Sequence, residues 1–294
     1  MSDSSDTGVS VPSWSWSPTA ARPAAVWAWL RSNAAVTLAV IVLALAVGFA
    51  VAPGLFTGRD PLLAVPSEKL SPPGASHWFG TDNLGRDVYA RFVHGAGLSL
   101  TATIGAVGVA LLVGAILGLF AGTAGAVADG VIMRAIDVML AVPQLLLALA
   151  IVAALGFGTT KVAIAVAVVL VASFARVMRA EVLRVRHAPF VEASRAFGVP
   201  APVVLVRHVL RNSYAPVLAL AAAEFGMAIL LISSLSFLGF GATPPTPEWG
   251  SLIADGRDYL ATAWWMTTLP GLAIVAVVLA AHTVGHRISA GDHR

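Results

Sequence analysis

Long runs almost free of charge alternate along this chain with short charged connections, and that rhythm sets the fold class before any motif is considered. A helix needs about 20 apolar residues to cross a hydrocarbon core. Five runs of roughly that size stand out: Ala34 to Val51, Leu98 to Ala121, Ile136 to Ala154, Tyr214 to Leu238 and Met266 to Val284. A sixth, Val162 to Ser173, is short. Only 14 residues separate Lys161 from Arg176, roughly 21 Å of helix at about 1.5 Å per residue.

The distribution of basic residues decides for that sixth run, because cytoplasmic connections are enriched in Lys and Arg. With six spans and the N-terminus inside, twelve arginines fall inside: Arg22, Arg31, Arg134, seven from Arg176 to Arg211, Arg287 and Arg294. Six basic residues fall outside, namely Arg59, Lys69, Arg86, Arg91, Lys161 and Arg257. Without the short span the seven-arginine connection would be external. The chain is therefore expected to be an all-α polytopic membrane protein with six transmembrane helices and both termini cytoplasmic. The expected segments are a tail over 1–32, a first span over 33–53, an external segment over 54–97, a five-span core over 98–286 with a cytoplasmic loop over 176–212, and a tail over 287–294.

Composition agrees, with 58% of the 294 residues apolar and 11% charged, and a mean hydropathy of +0.85, far from a soluble domain. Cysteine is absent, which excludes disulfides and thiolate metal sites. The +3 charge is split between connections and forms no face that could follow a phosphate backbone, so nucleic acid is not an expected partner. The first thirty residues carry Asp3 and Asp6 before any Arg, unlike a signal peptide. Their Trp14, Trp16, Trp27 and Trp29 are either headgroup anchors or incidental to a mobile tail.

Within the spans, Gly114, Gly118 and Gly122 recur every fourth residue, a small-residue face for close helix approach. Pro143 removes a backbone donor beside Gln144 and predicts a kink, a feature of either the pathway or plain packing. Glu224 is an acid well inside a predicted span. It either lines the translocation path or is partnered within the bundle. Asp82 and Arg86, four apart, predict an amphipathic helix on the outer surface. Pro244 to Tyr259, with Glu248, Trp249, Asp255 and Asp258, is either a docking surface or outer gate, or a passive ordered loop. His282 and His286 are four apart with no third ligand evident, and no cofactor is implied.

The 176–212 loop is too long for a plain connection and carries helix punctuation. Pro189 stands at a first helical position, Glu192 near the positive dipole end, and Gly198 at a left-handed cap. Phe190, Val191, Ala193 and Phe197 make its helix partly apolar, which suggests a partner groove. Ala201-Pro202 then starts a second helical stretch running into the fifth span.

Glu192-Ala193-Ser194, three residues, Gly198, nine residues and His208-Val209-Leu210-Arg211 resemble the EAA loop of binding-protein-dependent ABC importer permeases. In that family the loop is a coupling helix seated on the ATPase subunit, which would assign coupling to Glu192, Ala193, Ser194, Arg195, Phe197, Gly198 and Leu210. Ser194 replaces Ala, and Arg211 stands where the family has Pro. The stretches His77 to Val88, Met133 to Asp137, Ser236 to Gly241 and Pro245 to Leu252 resemble the dipeptide, oligopeptide and nickel branch. The tail differs, and Ile232 stands where an acid is common. The resemblance implies a type I ABC importer permease architecture, a second homologous permease, two ATP-binding subunits, an extracytoplasmic substrate-binding protein and the lipid bilayer as partners. It implies a peptide, nickel, glutathione or other small solute as cargo, with Pro143, Gln144, Glu224 and Trp249 as pathway or gate candidates.

The chain itself has no phosphate-binding loop, because its only lysines, Lys69 and Lys161, follow Glu68 and Thr160. ATP would be hydrolysed by a partner. The rival class is an ion-coupled secondary transporter, which calls for paired intramembrane charges or two broken helices; only Glu224 and Pro143 point that way. A membrane-embedded hydrolase lacks a nucleophile and base pair within the spans.

Overall fold

The computed structural model describes residues 34–291, and the tail tryptophans lie outside the described residues. All regular structure in it is helical. We number the helices α1 (Ala34–Val51), α2 (Val88–Thr123), α3 (Ala126–Ala141), α4 (Gln144–Leu155), α5 (Thr159–Arg186), α6 (Pro189–Ala196), α7 (Ala201–Phe237), α8 (Trp249–Gly256) and α9 (Trp265–Gly291). Five of these, α1, α2, α5, α7 and α9, are long and apolar enough to cross a membrane, and the bent pair α3 and α4 makes a sixth crossing if it counts as one span.

The centre of the fold is the packing of α2 on α5. Gly114, Gly118 and Gly122 let the two backbones meet: a Cβ at Gly118 would lie 2.4 Å from the Ala175 carbonyl and 2.7 Å from the Met178 Cβ. Larger residues would hold the helices apart and open the core of Val166, Leu170, Phe174 and Met178. Thus the short, uncertain run becomes the most enclosed crossing. It is also longer than its charge-free stretch, continuing past Arg176 to Arg186. The continuation is stable because Met178, Val182 and Val185 stay buried and because Arg176 and Arg179 find acids on α3.

Two sequence expectations change in the structure. Pro143 does more than kink the third span: α3 ends before Val142, α4 begins after Pro143, and the two axes differ by 98°. The residue before a proline is pushed out of the helical region, and Val142 is extended at φ −93°, ψ 134°. Asp82 and Arg86 lie on no surface helix. Asp82 Oδ1 accepts from the backbone N–H groups of Leu84 and Arg86, and its Oδ2 accepts from Arg86 Nε at 2.6 Å, so the pair closes a buried turn ahead of α2. The stretch from Ala201 into the fifth span is helical as expected, with a π-helical turn at Leu205–Leu210 and Pro216 further inside.

We expect Gly118→Leu to lower the thermal stability of the detergent-purified protein by the equivalent of about 1 to 3 kcal/mol or to block its assembly. Gly105→Ala and Gly108→Ala, where a Cβ meets nothing within 4 Å, should leave the melting temperature unchanged or raised.

Candidate functional site

Helix α6 projects from the end of the bundle where α2 and α5 finish. Pro189 opens it and one side chain anchors it: Val191 is fully buried in the main core. Every other contact points outward. Glu192, Ala193, Arg195 and Ala196 are exposed, Phe190 is largely exposed, and Phe197 is 88% exposed. The helix ends as its sequence punctuation implies. Gly198 has φ +76°, its N–H bonds to the Arg195 carbonyl at 2.9 Å, and the Val199 N–H reaches back to Ser194 at 3.2 Å. This is a Schellman ending. Ser194 Oγ donates to the Phe190 carbonyl at 2.8 Å, and Leu210, half-buried on the following stretch, packs against the same core.

Behind α6 lies a cavity of ≈ 400 Å³ lined by Thr123, Arg186, Arg195, Pro202, Leu205 and Val209. Arg186 Nη1 donates across it to the Gly122 carbonyl at 2.7 Å. That bond ties the end of α5 to α2, and the loop helix follows α5 within three residues and leads on to α7 at Ala201. Phe190 and Phe197 are the exposed aromatics of this loop.

At the opposite end, Trp249 and Glu248 are both 0% exposed, which removes them from a docking surface. Trp249 stacks on Phe92 at 5.1 Å and 7° and donates Nε1–H to the Phe92 carbonyl at 3.0 Å. Glu248 accepts from Ser236 Oγ at 2.7 Å, from Thr159 Oγ1 at 3.1 Å and from the Ala242 N–H at 2.6 Å. It binds the end of α7, the start of α5 and the start of α8 into one knot. The segment meets solvent on both sides of this buried middle, at Pro244 to Thr246 and again at Arg257 and Asp258, the latter 78% exposed. Asp255 sits near Arg86 and Arg91; burial pushes its carboxyl up, and the two guanidinium groups pull it back.

Pro143 and Gln144 form the α3–α4 elbow, away from α6. Glu224, within α7, is half-buried. Two ion pairs between α3 and α5 escape a reading of the sequence: Asp129 with Arg179, and Asp137 with Arg176. Their only signal is the three-residue spacing of the two arginines, which puts both on one helix face.

Residues 114–289 match the family described as binding-protein-dependent transport system inner membrane component. Among curated relatives, a dipeptide transport system permease protein of Alkalihalophilus pseudofirmus is 40% identical over 256 residues, covering 87% of this chain and 84% of that protein. A di/tripeptide permease of Pseudomonas aeruginosa is 44% identical, covering 77% and 75%, and a glutathione permease of Pectobacterium atrosepticum is 39% identical, covering 72% and 71%. A solved amino acid ABC transporter shares the fold with a TM-score of 0.54 at 20% identity, covering 70% of this chain and 94% of that one. With helices, loop and relatives in agreement, the chain belongs to the family of binding-protein-dependent transport system inner membrane components, as a non-catalytic, multi-pass ABC importer permease of the peptide and glutathione group.

Proposed function

We propose that this chain is one translocating half of an ATP-driven importer of di- and oligopeptides. It pairs with a second homologous permease, receives cargo from an extracytoplasmic binding protein, and couples through α6 to two ATP-binding subunits. The observation that carries the coupling role is the mounting of α6: one buried anchor at Val191, a fixed C-terminal cap at Gly198, and outward-facing Phe190, Glu192, Arg195 and Phe197. A helix held in this way transmits a push on its exposed face into α5 and α7 instead of folding away. The excess of arginine at the α6 end supports placing it, with both termini, in the cytoplasm. Peptide cargo is favoured by relatives whose names specify dipeptides and tripeptides. Glutathione, itself a tripeptide, is the second reading because a 39% identical relative is named for it.

The importer reading is tested by reconstituting the chain with candidate partner permease, ATPase and binding-protein subunits from the same organism and measuring ATP-driven peptide uptake. Uptake is expected only from the complete set, and its absence for every di- and tripeptide tried would overturn the peptide assignment.

Coupling is tested separately in the same vesicles. A Cβ at Gly198 meets nothing within 4 Å, so Gly198→Val acts through backbone strain alone, about 1 to 2 kcal/mol at a left-handed position. Glu192→Lys reverses a charge near the helix start. Both variants should insert and pair with the partner permease yet lose uptake, by releasing the ATPase or by freeing its activity from cargo control. Normal uptake with ATPase subunits bound would show that α6 is not the coupling element.

A further inference from the structure

The end of the bundle that carries α6 holds more arginine than acid, and two of these arginines meet at one cavity. Most acids at this end are engaged: Asp129 with Arg179, Asp137 with Arg176 and Glu181 with Arg184. Glu192 is exposed and forms no ion pair among the described residues. The ≈ 400 Å³ hollow behind α6 takes Arg186 from the end of α5 and Arg195 from the end of α6, and none of its lining residues is an acid. Arg186 spends one N–H on the Gly122 carbonyl, and the rest of its donor fork has no partner among the described residues. The Arg195 side chain has no hydrogen bond or ion pair among them at all.

Two uncompensated guanidinium groups facing one hollow repel each other and attract an anion. A further wall is the first turn of α7, at Ala201 and Pro202, the positive end of a 37-residue helix, which adds to the same preference. The volume falls among those of small-ligand sites, about 300 to 1,000 Å³.

The surroundings select the kind of anion. Here α2 stops at Thr123, α5 stops at Arg186 and α7 starts at Ala201, so the hollow lies where membrane helices end. Apolar surface stands beside it. Phe120, one turn before the lining Thr123, is 56% exposed, and Val203 and Val206, next in sequence to the lining Pro202 and Leu205, also face outward. A soluble anion would use the arginines and leave these side chains uncovered; a lipid covers both, and anionic lipid is what a basic pocket at a cytoplasmic helix end meets.

We propose that the hollow behind α6 binds the phosphate of an anionic phospholipid, gripped by Arg186 and Arg195, with the acyl chains against the apolar surface beside it. Phosphate oxygens suit the planar guanidinium fork. A headgroup held there joins the ends of α5 and α6 to the start of α7, so that lipid completes the mount of the loop helix.

Native mass spectrometry of the detergent-purified full chain tests this, with dioctanoyl phosphatidylglycerol as probe and dioctanoyl phosphatidylcholine, which has the same phosphate and chains but no net charge, as reference. Phosphatidylglycerol should bind at least about tenfold more tightly, the scale of a charge-assisted hydrogen bond. R186Q and R195Q should each remove most of that preference and R186Q/R195Q all of it, whereas R184Q, at an exposed arginine paired with Glu181, should retain it. Because R186Q also breaks the bond to Gly122, poor folding of that variant leaves R195Q, whose side chain makes no contact of this kind within the chain, to decide. A preference in R195Q equal to that of the unmodified chain would overturn the site. Inorganic phosphate and glycerophosphate are the arms for a soluble source. They should displace the lipid only at concentrations at least about a hundredfold higher, since they bury no acyl surface; displacement at the lipid's own concentration would overturn the lipid assignment. These readouts need no transport, so they stand whether or not peptide uptake is seen.

Discussion

Everything in this protein depends on how closely α2 can lie against α5. In lipid there is no hydrophobic gain from bringing two apolar helices together, so association rests on dispersion contacts and on small residues that let backbones meet. Gly114, Gly118 and Gly122 provide that meeting, with α5 backbone and Cβ atoms where their own side chains would stand. The contact encloses Phe174, Met178 and Val182. It also carries α5 well beyond its charge-free stretch, to the point where α6 begins only three residues later.

That extension connects the packing to the loop helix proposed for coupling. Because α5 remains helical through Arg186, a displacement at α6 acts on a stiff rod and not on a slack connection. Along the rod, Arg179 and Arg176 grip Asp129 and Asp137 of α3, so α3 is attached to the same rod up to the elbow at Val142 and Pro143. At the other end, the carboxylate of Glu248 ties the start of α5 to the end of α7 and the start of α8. The rod thus has one end near the loop helix, its ion pairs with α3 along the way, and its far end in a buried knot.

What could be read from the sequence is what local chemistry controls. The first span, Ala34 to Val51, coincides with α1 because composition and length alone specify a lipid-facing helix. The loop helix and the left-handed Gly198 were legible because Pro, Glu and Gly act within one turn of themselves. Misreadings arose where the partner was remote. Asp82 and Arg86 fit a helix by spacing, yet the pair closes a turn through backbone donors that the spacing does not reveal. The place of Trp249 was not legible either, because its burial depends on Phe92, 157 residues away. The length of α5 was hidden because its charged half is neutralised by acids on another helix, which hydropathy counts as a break.

The remaining irregularities share one physical condition. Backbone groups freed from a helix at membrane depth must be satisfied by protein or water, since lipid offers no partner. The chain frees such groups at the Val142–Pro143 elbow and at Pro216 within α7, and the π-helical turn Leu205–Leu210 loosens the ladder just before that span. None of these sits on α5, which is unbroken from Thr159 to Arg186. The rigid rod and the breakable helices are therefore separate parts: α5 keeps its full ladder, while its neighbours α3–α4 and α7 hold the points where a helix can swing or rewind at low cost. A permease that must alternate between two openings needs this division, because a path that is flexible along all its walls could not be driven from one end.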